Sequence, residues 1–164
     1  MIRARLREGS PEIDLQAVTE LSNDFDVPLG EGEGRIGFAL AGVPHLVVLC
    51  DEVELADVSG RGRQLRHLPS LAEGANANFV SRRGSDWAMR TFERGVEAET
   101  LACGTGAVAS AILLSSWGLG GAEIRLRTRS DRVLTVRLTK EGLAWHPSLR
   151  GEGRIVFRGC LGET

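Results

Sequence analysis

The sequence predicts an α+β domain: a mixed, mostly antiparallel β-sheet wrapped as a barrel around one central buried helix, with a second, amphipathic helix beside it. Three observations carry that expectation. From Gly104 onward the residues are small and then apolar, with no charge before Glu123, and a helix that is apolar on every side belongs in an interior. Many short apolar runs of strand length are set off by turn residues. One segment, starting at Asp57 or Ser59 and running to about Leu68, offers a capping residue and places Leu65 and Leu68 on a single face. Many short strands with two helices of different character belong to the α+β class.

In chain order, Ile2, Ala4 and Leu6 alternate with Arg3, Arg5 and Arg7, the pattern of a half-exposed strand. Residues 9–30 hold Pro11, Asn23, Pro28 and Gly30 among weak apolar positions and read as a loop with one helical turn. Residues 30–34 alternate glycine and glutamate, a turn-rich connector. Residues 35–40 and 46–50 are apolar strands, with residues 41–45 as the loop between them; Pro44 holds its predecessor extended. Pro69 closes the amphipathic helix. Strands follow at 76–80 and 87–93, then the central helix from about Gly104 to Trp117, with Gly118 or Gly120 as its stop. The last third reads as strands at 124–128, 133–138, 143–146 and 155–158, with hairpin turns at 130–132 and 140–142.

The 164 residues are 42% hydrophobic and 26% charged, with a net charge of −2. That composition fits one globular domain and supplies no basic field for nucleic acid. No apolar run approaches the roughly 18 residues a membrane span needs, so no membrane partner is expected. The three cysteines, Cys50, Cys103 and Cys160, are odd in number and far apart; this argues against a disulfide framework and for a reducing, cytoplasmic setting. Without a Cys-x-x-Cys or His-x-x-x-His pair, no metal site is expected.

Cys103 stands at the mouth of the buried helix. The first turn of a helix leaves N–H groups unpaired and carries the positive end of the dipole, so it stabilises an anion, either a carboxylate or the thiolate itself. A lone cysteine is more often a structural core residue. The Gly104-Thr105-Gly106 turn changes that reading, because it removes side chains that would keep a ligand from the backbone. A thiol so placed is expected to titrate below about 8.5 and to react faster than Cys50 or Cys160. Upstream, Glu93-Arg94-Gly95 could be a solvated ion pair or, so near the cysteine turn, a carboxylate grip. His45 is a possible proton relay in a loop, and Asn76 and Asn78 fit turn chemistry equally well.

Together these segments are more specific than any alone. Glu93-Arg94-Gly95-Val96 with Glu99-Thr100-Leu101-Ala102-Cys103-Gly104-Thr105-Gly106-Ala107 resembles the second cysteine motif of diaminopimelate epimerases. Gly42-Val43-Pro44-His45 resembles that family's Gly-Asn-Pro-His. Residues 73–80, Glu-Gly-Ala-Asn-Ala-Asn-Phe-Val, resemble its Pro-Glu-Gly-x-Asn-x-Asn-Phe segment. The resemblance covers about residues 42–110. It implies an amino-acid epimerase that works without pyridoxal phosphate or any other cofactor, interconverting LL- and meso-diaminopimelate for lysine and peptidoglycan biosynthesis. In the family two thiols face the α-carbon from opposite sides, each at a helix N-terminus in one of two similar domains. By this resemblance Cys103 is one acid/base, and Glu93 and His45 tune or orient the proton transfer. Asn76 and Arg94 bind substrate, and the backbone of Gly104 and Thr105 cradles its α-carboxylate.

Three departures matter. Val43 replaces the family's substrate-binding Asn, so that role is not carried over. Glu97-Ala98 lengthens the usual spacer. No segment matches the Gly-Asn-Gly-x-Arg-Cys-type motif that holds the family's other cysteine. The chain, 1–164, is therefore expected to be a single domain resembling the C-terminal half, with 153–160 as a closing strand and the N-terminal catalytic half absent. The expected partner is that N-terminal half, or a second subunit, bringing the other cysteine. Two other readings stay open: a proline or hydroxyproline racemase-like enzyme of the same fold, which shares the Cys-Gly-Thr-Gly turn, and a catalytically incomplete fragment that only binds or pairs. A nucleotide-binding module, suggested by Gly104-Thr105-Gly106-Ala107-Val108-Ala109, lacks the apolar strand before it and the acidic residue ending a later strand.

Overall fold

A computed structural model describes residues 3–160 and Gly162. The strands are β1 (Ala4–Arg7), β2 (Ser10–Asp14), β3 (Leu21–Ser22), β4 (Glu33–Ala41), β5 (Val43–Cys50), β6 (Asn76–Arg83), β7 (Asp86–Glu93), β8 (Ala98–Thr100), β9 (Glu123–Arg127), β10 (Val133–Glu141) and β11 (Ala144–Arg150); the helices are α1 (Val58–Arg66) and α2 (Gly104–Ser116). One mixed sheet runs β1-β2-β11-β10-β9-β7-β6-β5-β4-β3, with β8 beside β7. Among the described residues only β5–β6 and β7–β9 are parallel. The mixed, mostly antiparallel character is as the sequence predicts. The barrel is not: β1 and β3 lie at opposite ends of the strand order and do not pair, so the sheet curls around α2 without closing.

Each parallel pair needs a crossover, and the two crossovers carry the two helices on opposite faces. Helix α2 packs on β4, β5, β6, β10 and β11, and α1 packs on β6 and β7. Ala107 to Leu114, Val47, Val80, Met89 and Leu126 build the inner core around α2. Val58 and Leu65 of α1 join Leu46, Val48, Phe79 and Phe92 in a second core on the outer face. Burying an aliphatic side chain contributes roughly 1.5–3 kcal/mol, and α2 buries Val108, Ile112, Leu113 and Leu114 almost completely. Among the described residues no helix is long and apolar enough to cross a membrane.

Both helices start where the sequence places them. Asp57 caps α1, its carboxylate accepting from Gly60 N at 2.8 Å, and Cys103 caps α2. Gly118, with φ of +75°, follows the last turn of α2 in the left-handed conformation that ends helices. Elsewhere the structure corrects the expectation. Residues 9–30 hold β2 and β3 and no helical turn. Pro11 does not bar β2, because it serves the ladder through its carbonyl, which accepts from Gly151 N at 3.3 Å. Glu12 is buried there, accepting from Ser148 Oγ (2.6 Å) and Arg5 Nη2 (2.8 Å); the Ser148 hydroxyl, then Arg5, hold its carboxyl below the usual range against desolvation. Strand β1 is exposed along its whole length rather than half-exposed. It is the outermost strand, and Ile2 of the predicted alternation lies outside the described residues. The predicted loop 41–45 shrinks to a tight turn at Gly42, which leaves Pro44 and His45 inside β5. Residues 155–158 form no strand: past Gly151 the chain runs along no strand edge of this sheet, and Ile155, Val156 and Phe157 stand exposed.

The packing of α1 on β7 sets a test. A Cβ on Gly62 would lie 2.5 Å from Phe92 Cβ, and that atom cannot swing aside. Gly62→Ala should gain up to about 1 kcal/mol of helix propensity and lose about 1–3 kcal/mol by overpacking. A net loss in urea denaturation is expected; a more stable variant would show that α1 does not sit this close to the sheet.

Candidate active site

The pleat decides which side chains meet at the mouth of α2. In β5, Val47 faces the inner core, so His45, two residues earlier, faces the same way. In β6, Val80 fixes the phase and carries Asn78 and Asn76 to that face; in β7, Met89 does the same for Thr91 and Glu93. The register sets His45 beside Asn76, and Asn78 opposite Thr91. All five lie towards one end of the sheet, the end at which α2 begins.

Cys103 is 7% exposed. Its Sγ accepts from Gly106 N at 3.3 Å and lies 3.7 Å from the Thr105 hydroxyl, while its carbonyl takes Ala107 N. The N–H groups of Gly104 and Thr105 have no carbonyl acceptor within the helix, as expected for a first turn. A Cβ at position 106 would stand 2.2 Å from Asn78 Oδ1 and 3.1 Å from Cys103 Sγ, so only glycine fits. Burial pushes the Cys103 thiol up; the Gly106 N–H and the Thr105 hydroxyl push back, and the Glu93 carboxylate adds to the rise. The expected lowering is thus overturned in this chain, because desolvation of a buried anion outweighs the donors at the helix mouth.

His45 is fully buried and not in a loop. Its Nδ1 lies 3.2 Å from Asn78 Nδ2, and its Nε2 has no partner among the described residues. Burial, and to a lesser degree Arg94, push its pKa down to about 3, so it is neutral near pH 7. Asn76 Oδ1 accepts from Arg94 N at 2.7 Å, which fixes the turn after Glu93 and leaves Nδ2 as the donor end of Asn76. The Arg94 guanidinium reaches the Glu73 carbonyl at 3.2 Å and its carboxylate at 3.5 Å. Glu93 and Arg94 are half-buried. The long spacer is an ordered turn: Glu97, at φ +59°, accepts from Gly95 N (3.0 Å) and Arg66 Nε (2.9 Å). Glu99 of the cysteine motif is structural. Arg90 holds it with two bonds of 2.7 and 2.8 Å and also donates to the carbonyls of Val53, Glu54 and Ala56.

A cleft of about 390 Å³ borders the mouth, lined by Arg3, Asp14, Gln16, Gly42, Thr105 and Val108 among others. It meets the predicted residues only at Thr105. Sequence reasoning gave Asn78 no role and passed over Thr91. The signal that finds them is the phase of β6 and β7, which sets both on the face of Asn76 and Glu93. Cys50 lies in the outer core, its thiol pushed up to about 12 by burial and by Glu33; Cys160 is exposed. The stretch before Gly104 is a three-residue strand paired antiparallel to β7, not the buried parallel strand of a dinucleotide fold.

Groups that give and take protons, a thiol, an imidazole and a carboxylate, thus gather at the mouth of a buried helix in an open α+β sheet, the equipment of general acid–base chemistry. Residues 38–144 match the family described as diaminopimelate epimerase. A diaminopimelate epimerase of Gemmatimonas aurantiaca is 49% identical over 172 residues, covering 97% of this chain and 61% of that protein. One of Aquifex aeolicus is 37% identical over 167 residues, covering 99% and 59%. The chain belongs to the diaminopimelate epimerase family, and it spans about three-fifths of the length of these relatives. A solved structure of a phenazine biosynthesis protein of the PhzF family, from Enterococcus faecalis, aligns with a TM-score of 0.48 at 16% identity, over 76% of this chain and 40% of that one.

Two measurements follow from the burial of this site. Iodoacetamide near neutral pH should modify Cys160 first, Cys103 more slowly and Cys50 last; peptide mapping that finds Cys103 fastest would overturn the direction of its shift. His45 is neutral when folded and takes a proton when unfolded, so its contribution to stability is whole above about pH 6.5 and is lost as pH falls from there towards 3. Between about pH 6 and 5 the wild-type chain should lose stability more steeply than His45→Gln, the difference approaching about 1.4 kcal/mol per pH unit. Parallel stability curves for the two would remove the buried neutral imidazole.

Proposed function

We propose that this chain is one half of an amino-acid epimerase that interconverts LL- and meso-diaminopimelate without pyridoxal phosphate, with Cys103 as one of two thiols that exchange the α-proton. One observation carries the reading: Cys103 caps a buried helix beside two N–H groups without helical acceptors, within electrostatic reach of Glu93, whose neighbour Arg94 is held through its N–H by Asn76. Removing an α-proton from an amino acid builds negative charge, and preorganised N–H donors stabilise it with little rearrangement. In this reading the N–H groups of Gly104 and Thr105 receive the α-carboxylate, Asn76 and Arg94 hold the amino-acid head group, and Glu93 and His45 steer the proton. Names of relatives support the substrate class. Residues 1–164 form one domain equivalent to the family's second, and 153–160 pair with the family's first domain; the exposure of Ile155, Val156 and Phe157 supports that pairing.

The second cysteine is the partner's to supply, as an N-terminal half or another subunit. Inversion by two bases needs an acceptor on one face and a donor on the other, and Cys50 is shut in the opposite core. The 164-residue chain alone should therefore show negligible α-proton exchange of LL-diaminopimelate in deuterated water by NMR. Joining it to a half that carries the other cysteine should restore conversion to the meso isomer, and Cys103→Ala should abolish it. Arg94→Ala in the joined protein should weaken binding by about 1.5–3 kcal/mol, the range for a lost charged contact. Robust conversion by the isolated chain, or full activity without Cys103, would refute the proposal.

A further inference from the structure

Asn78 is buried behind the site and joins three groups. Its Nδ2 donates to the Leu46 carbonyl at 3.0 Å and faces His45 Nδ1 at 3.2 Å, and its Oδ1 accepts from the Thr91 hydroxyl at 3.0 Å. The orientation of that amide is forced. A backbone carbonyl offers only lone pairs, so the end of Asn78 facing Leu46 must be the NH2. A flipped amide would set Oδ1 against the Leu46 oxygen and leave buried acceptors unpaired. With one proton of Nδ2 given to Leu46, the other points at His45 Nδ1, which must then present its lone pair. A neutral imidazole carries a single proton, so that proton sits on Nε2, the atom without a partner among the described residues.

We propose that Asn78, clamped by the Leu46 carbonyl and the Thr91 hydroxyl, is a positioning residue that locks His45 as the Nε2–H tautomer, so that His45 acts as a hydrogen-bond donor and not as a resting base. The donor role in the reaction rests on the epimerase reading above; the tautomer does not. The same amide also abuts the helix mouth, since Asn78 Oδ1 fills the space that a Cβ on Gly106 would need. One side chain therefore faces both His45 and the glycine turn that holds Cys103. The buried Nε2–H is free to donate to an acceptor brought to the site.

The chain contains three histidines, His45, His67 and His146, and only His45 is buried. With 15N-labelled histidine, long-range 1H–15N correlation on the 164-residue chain should give His45 as the Nε2–H form, unchanged from about pH 8 to 5, across the range where an ordinary histidine titrates. Asn78→Asp, measured near pH 8 where the carboxylate is ionised, replaces the donor with a group that only accepts, and should place a proton on Nδ1. An Nδ1–H signature in the wild-type chain would overturn the proposal without any variant. So would a folded Asn78→Asp chain without a proton on Nδ1. The Nε2–H signature in a chain that exchanges no α-proton when joined to a cysteine-bearing half would uphold the lock and count against the epimerase reading instead.

Discussion

Helix α2 carries no charged side chain, and from Gly106 to Leu114 it is shut away from solvent. A helix like that cannot lie on a surface, so the sheet has to bend around it, and each end must find its own caps. At the N-terminal end the cap is a sulfur. Cys103 Sγ accepts from Gly106 N, in the place where serine, threonine, asparagine or aspartate usually offers an oxygen. A weak acceptor at a buried helix start leaves much of the positive end of the dipole unanswered. That residual potential is what an arriving carboxylate would meet, and burial of the helix shields it from solvent screening.

The sheet completes the site through a single parity rule. Successive residues of a strand face opposite sides, so Val47, Val80 and Met89, which the inner core claims, commit His45, Asn78 and Thr91 to the same side. The two parallel pairs matter as much. Strand β5 begins at the end where β7 finishes, so placing β6 between them brings the start of one strand and the close of another to one rim. Helix α1, on the outer face, makes the β5-to-β6 crossover without crowding that rim. A closed barrel is not needed for any of this: the strand order stays open from β1 to β3 while Cys103 at the mouth of α2 is buried.

What the sequence makes legible is what local chemistry dictates. The uncharged run after Gly104, the Asp57 cap and the alternation of residues 87–93 each specify an element by themselves, and the motif residues at 93, 94, 103, 104 and 105 fall on it. What fails is what depends on neighbours. Pro11 signals a loop, yet a strand forms because only its carbonyl is asked to pair. His45 looks exposed beside Gly42 and Pro44, yet the hairpin is so tight that β5 takes it inside. The thiol shift of Cys103 is misjudged in sign because the helix mouth is visible in the sequence and the desolvation around it is not. Asn78 hides for a related reason: one position from an apolar residue it resembles turn chemistry, and only the pairing with Thr91 reveals its face.

Protonation ties these points to the proposed chemistry. In a two-thiol exchange one sulfur starts protonated and the other ionised. Within this chain, burial and the Glu93 carboxylate both favour the protonated form of Cys103, while burial and Arg94 keep His45 neutral. Thiol and imidazole thus rest uncharged, as a low-dielectric interior requires of unpaired groups. An amino acid brings what would change this. Its ammonium, set near Glu93, would offset the negative charge that disfavours the thiolate, while the Gly106 N–H remains in place to hold the sulfur once ionised. Substrate and partner half would then be part of the electrostatics of the thiol itself. Activation would come with assembly, and a reactive sulfur would not be exposed beforehand.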